Sequence, residues 1–413
     1  MAKRRKLLSR KLLSGKLLLD GPWRALPVLG VTQVLAWGSL IYPAVLIVPR
    51  IAAERGWSLS FAMAGYSAAL LAGGLVAPLV GRTIDRRGGH GVMTAGALIG
   101  AAGLVGLTLA AHPVAYVAAW AVVGVAMAAS LYESAFATLG RLFGAAARRP
   151  ITLLTFVGGL ASTVSWPATA ALDAALGWRG CLLVYAALLA GVAAPLLALA
   201  LPRRPADPVP AADSGLGSAP GSPTPAPVLP PRGRPFLLVM AGFAAYAFVP
   251  SALAAHFLAI LQRGGLDPST AVLVGMLFGP CQVLARVAEF AFAGRTHPLL
   301  LARFAFGLIL AAFGLLAGAG LSVPAAALFY VMFGASNGLV TIARGTVPLA
   351  LFGPSGFGVL VGRLAAPWLV MQAVAPLAMA LVAERTSDAV ALAVAAGCAG
   401  VALACFSVIR RPG

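Results

Sequence analysis

Twelve apolar stretches run along the chain, separated by short polar or Gly- and Pro-containing breaks. They fall near residues 25–48, 58–80, 91–111, 114–140, 151–172, 180–201, 236–261, 271–294, 300–320, 324–350, 361–383 and 388–408. A helix needs about 20 mostly apolar residues to cross the hydrocarbon core of a bilayer. The pattern therefore predicts an all-α membrane protein with twelve transmembrane helices. Some linkers are very short: Ala111-His112-Pro113 joins the third and fourth stretches, and Ser322-Val323-Pro324 the ninth and tenth. Gly and Pro recur inside the stretches, as membrane helices tolerate.

One segment departs from this pattern. Residues 202–235 are rich in Pro, Ala, Ser and Gly, cannot bury a core, and read as a flexible or extended tether. The chain divides into a basic tail (1–24), a six-helix half (25–201), the tether, a second six-helix half (236–408) and a short C-terminal tail (409–413). The halves share short matches in the same order. Gly81-Arg82-Thr83 answers to Gly294-Arg295-Thr296, and Leu142-Phe143-Gly144 to Leu351-Phe352-Gly353. That order predicts an internal duplication.

Composition agrees with the pattern. Of 413 residues 61% are hydrophobic and only 10% charged, against about 25% charged in a soluble domain, so a soluble surface cannot be built. The 30 basic residues outnumber the 11 acidic ones, giving a formal charge of +19. In a soluble protein such an excess suggests nucleic acid. Here an even number of spans puts both ends on one side, and 23 basic residues fall on that side against five on the other. The excess is a topology signal of the positive-inside kind. It predicts an inner-membrane protein with both termini cytoplasmic and no nucleic-acid partner. The tail repeats Lys-Leu-Leu at residues 6, 11 and 16. It reads as a lipid-contacting segment, a disordered leader or an over-extended start. The four cysteines lie in apolar runs without metal-site spacing, and no metal or cofactor is expected.

The most specific local signal is Gly81-Arg82-Thr83-Ile84-Asp85-Arg86-Arg87-Gly88-Gly89-His90, between the second and third spans. It resembles the signature loop of the major facilitator superfamily, roughly G-x-L-x-D-R-x-G-R-[KR]. Gly81, Asp85, Arg86 and Gly88 match, whereas Thr83, Gly89 and His90 depart. Asp85 sits at a helix end beside several arginines, where it can pair with a neighbouring helix and be released. Gly56-Trp57-Ser58 and Pro78 are similar to the monocarboxylate and oxalate/formate porters of that superfamily. The fifth span, with Gly159-Leu160-Ala161-Ser162, lacks the pattern of drug/proton antiporters. The resemblance implies two six-helix halves rocking around a midplane cavity lined by spans one, four, seven and ten.

Four ionisable residues lie inside spans, where a charge costs about 2.5–3.5 kcal/mol: Glu133, Arg286, Glu289 and Arg344. Arg286 and Glu289 are three residues apart and share a helix face, as Asn337 and Arg344 nearly do. Two accounts stand. The charges pair internally, Arg286 with Glu289 and Glu133 with another basic group. Alternatively, the arginines bind an anion bidentately and Glu133 or Glu289 carries a proton. Gln33, Trp37 and Tyr42 on span one, Tyr132 on span four, and Tyr246, Ser251 and His256 on span seven are polar or aromatic companions. Gln282 and Gln372 either line the site or bond between helices.

The expected function is secondary transport of a small solute, favouring an organic anion, with or without protons, by a monomer in the bilayer. Efflux of a drug or metalloid oxyanion is the alternative. A membrane sensor or embedded enzyme is disfavoured, since the sequence has no G-x-x-x-x-G-K-[ST], G-x-S-x-G or H-E-x-x-H.

Overall fold

The computed structural model describes residues 21–203, 233–292 and 296–410. Most of the basic tail (1–20), most of the tether (204–232), Gly294-Arg295 of the repeated motif, and residues 411–413 lie outside the described residues. The helices are α1 (Ala25–Leu40), α2 (Ala44–Arg55), α3 (Leu59–Arg87), α4 (Gly89–Leu109), α5 (Pro113–Ser130), α6 (Tyr132–Phe143), α7 (Arg148–Gly159) and α8 (Ala161–Leu188) in the first half. The second half has α9 (Arg234–Arg263), α10 (Pro268–Gly275), α11 (Phe278–Phe292), α12 (Pro298–Ala319), α13 (Val323–Phe352), α14 (Phe357–Arg385) and α15 (Asp388–Val408).

Among the described residues ten continuous helical stretches are long and apolar enough to cross a membrane, and one of them, Pro113–Ala200, is 88 residues long. A single crossing uses about 20 residues, so this stretch must turn. It does so at Gly144 and Gly177, whose φ values of 54° and 68° belong to the left-handed region that glycine enters without a Cβ penalty. Three crossings there bring the total to twelve, in two halves of six.

Four spans are broken in mid-course; in the fifth, α7 ends at Gly159 and α8 starts at Ala161. α1 gives way to α2 across 41–43, where Pro43 has no N–H to continue the ladder. α5 ends at Ser130 and α6 restarts at Tyr132 around an extended Leu131 (φ −84°, ψ −165°). No Pro or Gly marks that break. Side chains take over the freed carbonyls: Gln33 Nε2 donates to Ser130 O at 2.6 Å, and Ser134 Oγ to Ala128 O at 2.6 Å. α10 and α11 are likewise separate pieces of the eighth span. In α14, Pro376 leaves the Gln372 carbonyl without its helical donor, and Ser251 Oγ fills the gap at 2.7 Å. His256 Nε2 lies 2.8 Å from Pro376 O. Ser251 and His256 thus tie span seven to span eleven.

Two corners repeat one design. After α2, Gly56 (φ 66°) turns the chain, Trp57 N bonds Ala52 O, and Ser58 caps α3 through Phe61 N. After α9, Gly265 (φ 96°) does the same, Leu266 N bonds Leu261 O, and Asp267 caps α10 through Thr270 N. Hydrogen bonds from Ser269 and from the Thr270 amide hold the Asp267 carboxyl below the usual carboxylate range. Each corner is braced to a residue 125 positions further on. Arg179 donates twice to Glu54, at 2.6 and 2.8 Å, and Arg263 twice to Asp388, at 2.7 and 2.8 Å. The sign of charge is reversed between the halves. Such exposed pairs add little stability, and the same arrangement recurs in both halves.

Candidate functional site

The two halves meet on the side that carries Asp85, Arg141 and Arg148, here called the basic side. On the opposite side, α2 packs against α3 and α8, and α10 against α9 and α13, each within its own half. The seam between halves runs along α3 and α14, which lie antiparallel. Ser67 Oγ approaches Ala373 O (3.4 Å), a Cβ on Gly74 would sit 3.1 Å from Ala366 O, and one on Gly81 would sit 3.2 Å from Val359 N.

The signature loop closes the basic end of this seam. α14 begins after Gly356, and its first amides have no partners within the helix. Asp85 supplies them: Gly358 N donates to Oδ1 and Val359 N to Oδ2, both at 2.8 Å. Asp85 therefore engages the positive end of a helix, and its own main-chain carbonyl is held by Arg141. Gly81 allows the backbones to touch, and Gly88 (φ 84°) turns the chain into α4. Arg86 is exposed and has no ion-pair partner among the described residues.

The intramembrane charges sort differently from the simplest pairing. Arg286 and Glu289 share a face of α11 but do not pair. Glu289, 6% exposed, reaches across the seam to Arg148 of α7 at 3.4 Å, leaving Oε2 without a hydrogen bond. Arg148 also donates to Thr296 O at 2.7 Å. Glu133 pairs with Arg344 of α13, again between halves, and the guanidinium lies 3.8 Å from the centre of the Trp368 ring. Arg286 is 4% exposed, and among the described residues no carboxylate lies within ion-pair distance of it. Its Nη1 donates to Thr155 O at 2.7 Å, its Nη2 lies 3.3 Å from Thr341 Oγ1, and its Nε has no partner. The guanidinium rests on Gly159, where a Cβ would sit 3.3 Å from Cζ.

Aromatic residues extend from this arginine. The Tyr132 hydroxyl shares the Thr155 carbonyl with it at 3.4 Å. The Tyr132 ring stacks on Phe136 (5.2 Å, 9°) and lies 5.0 Å from Trp37, which lies 6.1 Å from Tyr42. Gln33 is fully buried and links the break in span four to this wall, because its Oε1 accepts from Trp37 Nε1 at 3.2 Å. Gln33→Leu should lower stability by about 1–3 kcal/mol, by stranding the buried Ser130 carbonyl. A lower midpoint in thermal unfolding of purified protein checks this, and an unchanged midpoint would count against the tether.

Tyr246 is fully buried, its hydroxyl 3.3 Å from Ser336 Oγ and its ring beside Phe306 and Trp368. It belongs to the packing of the second half and does not join the Arg286 group. Asn337 is half-buried, and its carbonyl accepts from Thr341. Gln282 is also half-buried, and a Cβ on Gly338 would lie 3.2 Å from its carbonyl carbon. Arg148, Thr155 and Gly159 escaped sequence reasoning. The first reads as one more positive-inside loop charge, and the others have no chemistry of their own.

The sequence pattern of the Major Facilitator Superfamily matches residues 29–362. The chain belongs to this superfamily, a family of membrane transporters. Among curated proteins none matches it in sequence. Its fold resembles that of the human organic anion transporter MFSD10 (TETRAN), with a TM-score of 0.70 and 19% identity over 95% of this chain and 100% of that one. It also resembles FucP in the outward conformation (0.69, 11%, 94% and 99%). A third similar structure is the proton:xylose symporter XylE bound to 6-bromo-6-deoxy-D-glucose (0.65, 10%, 93% and 95%). At these identities the likeness concerns the fold.

Proposed function

We propose that the protein is a secondary active transporter of a small organic anion, with Arg286 as the residue that binds the anionic group. The observation that carries this reading is a membrane-buried guanidinium, 4% exposed, with no carboxylate within ion-pair distance among the described residues. A charge at that depth costs about 2.5–3.5 kcal/mol, and Arg344 shows what a structural arginine does there: it pairs with a carboxylate. A bound carboxylate gives Arg286 the partner it lacks, through two parallel hydrogen bonds. The organic anion transporter among the similar structures is consistent with this substrate class. The 23-to-5 split of basic residues supports a cytoplasmic membrane with both termini and the basic side inside. Closure on the basic side then corresponds to a state open to the outside, and substrate enters from there. The transporter works as a monomer, since each chain holds its own site between its halves.

A proton accompanies the anion through Glu289. Glu133 is fully engaged with Arg344, whereas Glu289 has one long contact to Arg148 and an unpartnered Oε2. Protonation of Glu289 breaks that contact and loosens the halves at α7 and α11. Uptake of labelled small carboxylates into proteoliposomes tests both parts. Arg286→Gln should abolish uptake, and Arg286→Lys should retain a fraction, having charge without the planar fork. Glu289→Gln should transport without responding to an imposed pH gradient. Wild-type uptake by Arg286→Gln would refute the anion site, and an unaltered gradient response in Glu289→Gln would refute the proton site.

A further inference from the structure

We infer that the anion is a planar aromatic monocarboxylate, in preference to a sugar acid or an inorganic oxyanion; this rests on the Arg286 reading above. The charge count fixes one negative group. Arg344 is engaged with Glu133 and the face of Trp368, and Arg148 with Glu289 and Thr296 O. Of these three arginines Arg286 alone is left to meet an incoming anion, so a second carboxylate on the ligand would find neither of the other two free.

The surroundings of Arg286 then determine the body of the ligand. The nearest large surfaces are rings: Tyr132 against the same carbonyl, Trp37 beside it, and Tyr42 beyond. Trp37 and Tyr42 are only half-buried, so ring surface remains for a ligand to cover. The Trp37 indole is fixed in place, because Gln33 holds its N–H and is itself anchored to the Ser130 carbonyl. A tethered indole is a prepared stacking surface, and aromatic rings favour offset or edge contact with it.

The polar groups nearby argue against a polyhydroxy ligand. Thr32, Ser39, Thr341 and Ser134 all donate to carbonyls of their own span. Gln33 is bonded at both ends. The side-chain amides of Asn337 and Gln282, one turn from Thr341 and Arg286 on their helices, can meet a hydroxyl or two; a sugar acid brings more hydroxyls than that, and buried hydroxyls without partners weaken binding. An inorganic oxyanion reaches one guanidinium but leaves the rings uncovered.

Calorimetric binding to the purified full-length protein, with benzoate, lactate, gluconate and sulfate as probes, decides between these bodies. Benzoate should bind at least tenfold more tightly than lactate or gluconate, and sulfate not measurably. Trp37→Ala should narrow the benzoate-to-lactate ratio to near one, Trp37→Phe should restore most of it, and Arg286→Gln should abolish binding of every carboxylate. Thermal midpoints of the variants identify any loss that is merely unfolding, and Trp37→Phe keeps the test valid if Trp37→Ala is unstable. Gluconate, lactate or sulfate binding as tightly as benzoate, through Arg286, would overturn the aromatic assignment and leave the anion reading standing. Benzoate binding that survives Arg286→Gln, or no binding of any probe, would overturn both.

Discussion

Replacing Glu133 with Gln should destabilise the protein by about 3–5 kcal/mol, whereas Glu133→Gln combined with Arg344→Gln should recover most of that loss. The pair joins span four of one half to span ten of the other, with side chains 18% and 15% exposed. Breaking a buried ion pair from one side leaves an uncompensated charge, which costs far more than the intact pair contributes. The two single variants should also differ from each other. An arginine cannot shed its proton, so Glu133→Gln strands a permanent charge, softened only by the face of Trp368. Arg344→Gln strands a carboxylate instead, which an amide partner satisfies only in part. Thermal unfolding of the four proteins gives the whole cycle. Additive losses in the double variant would show that the two groups are not coupled.

The sequence reveals the spans and their number because each crossing needs its own run of apolar residues, and that requirement is local. It also reveals which residues are costly inside a membrane. It does not reveal their partners. Spacing puts Arg286 and Glu289 on one face, yet Glu289 bonds Arg148, which reads in sequence as a loop charge, and Arg286 bonds a main-chain carbonyl of α7. Both contacts join different halves, so they depend on how the halves dock. The breaks are legible only in part. Pro43 announces the first, whereas the break at Leu131 has no Pro or Gly and exists because Gln33 and Ser134 satisfy the carbonyls it frees. Tyr246 shows the converse. A tyrosine on span seven reads as a cavity residue, but its hydroxyl finds Ser336 within the packed half. Asp85 is legible as a residue that reaches a neighbouring helix, and only the structure shows main-chain amides as its target.

Those amides make the α3–α14 seam the second place where one substitution should have a large effect. A Cβ on Gly81 would be fixed directly to the α3 backbone and would overlap the Gly358 carbonyl, which belongs to the α14 backbone. A flexible side chain could move aside, but here the helices themselves must separate. Gly81→Val should therefore drive the halves apart on the basic side and deplete the conformation described here. Asp85→Asn should shift the same equilibrium less, because an amide oxygen still accepts one hydrogen bond at the start of α14 but brings no charge to it. Loss of such a cap and its charge is worth about 1–2 kcal/mol, which changes the ratio of the two conformations roughly tenfold. Spin labels at Arg82→Cys and Ser355→Cys, both exposed, report the separation once the four native cysteines are replaced. The short-distance population should shrink in Asp85→Asn and nearly vanish in Gly81→Val. Transport should fall in the same order, since a carrier held open on one side cannot complete its cycle. Unchanged distances in Gly81→Val would mean that the seam yields without opening, and that the signature loop does not set the balance between the two states.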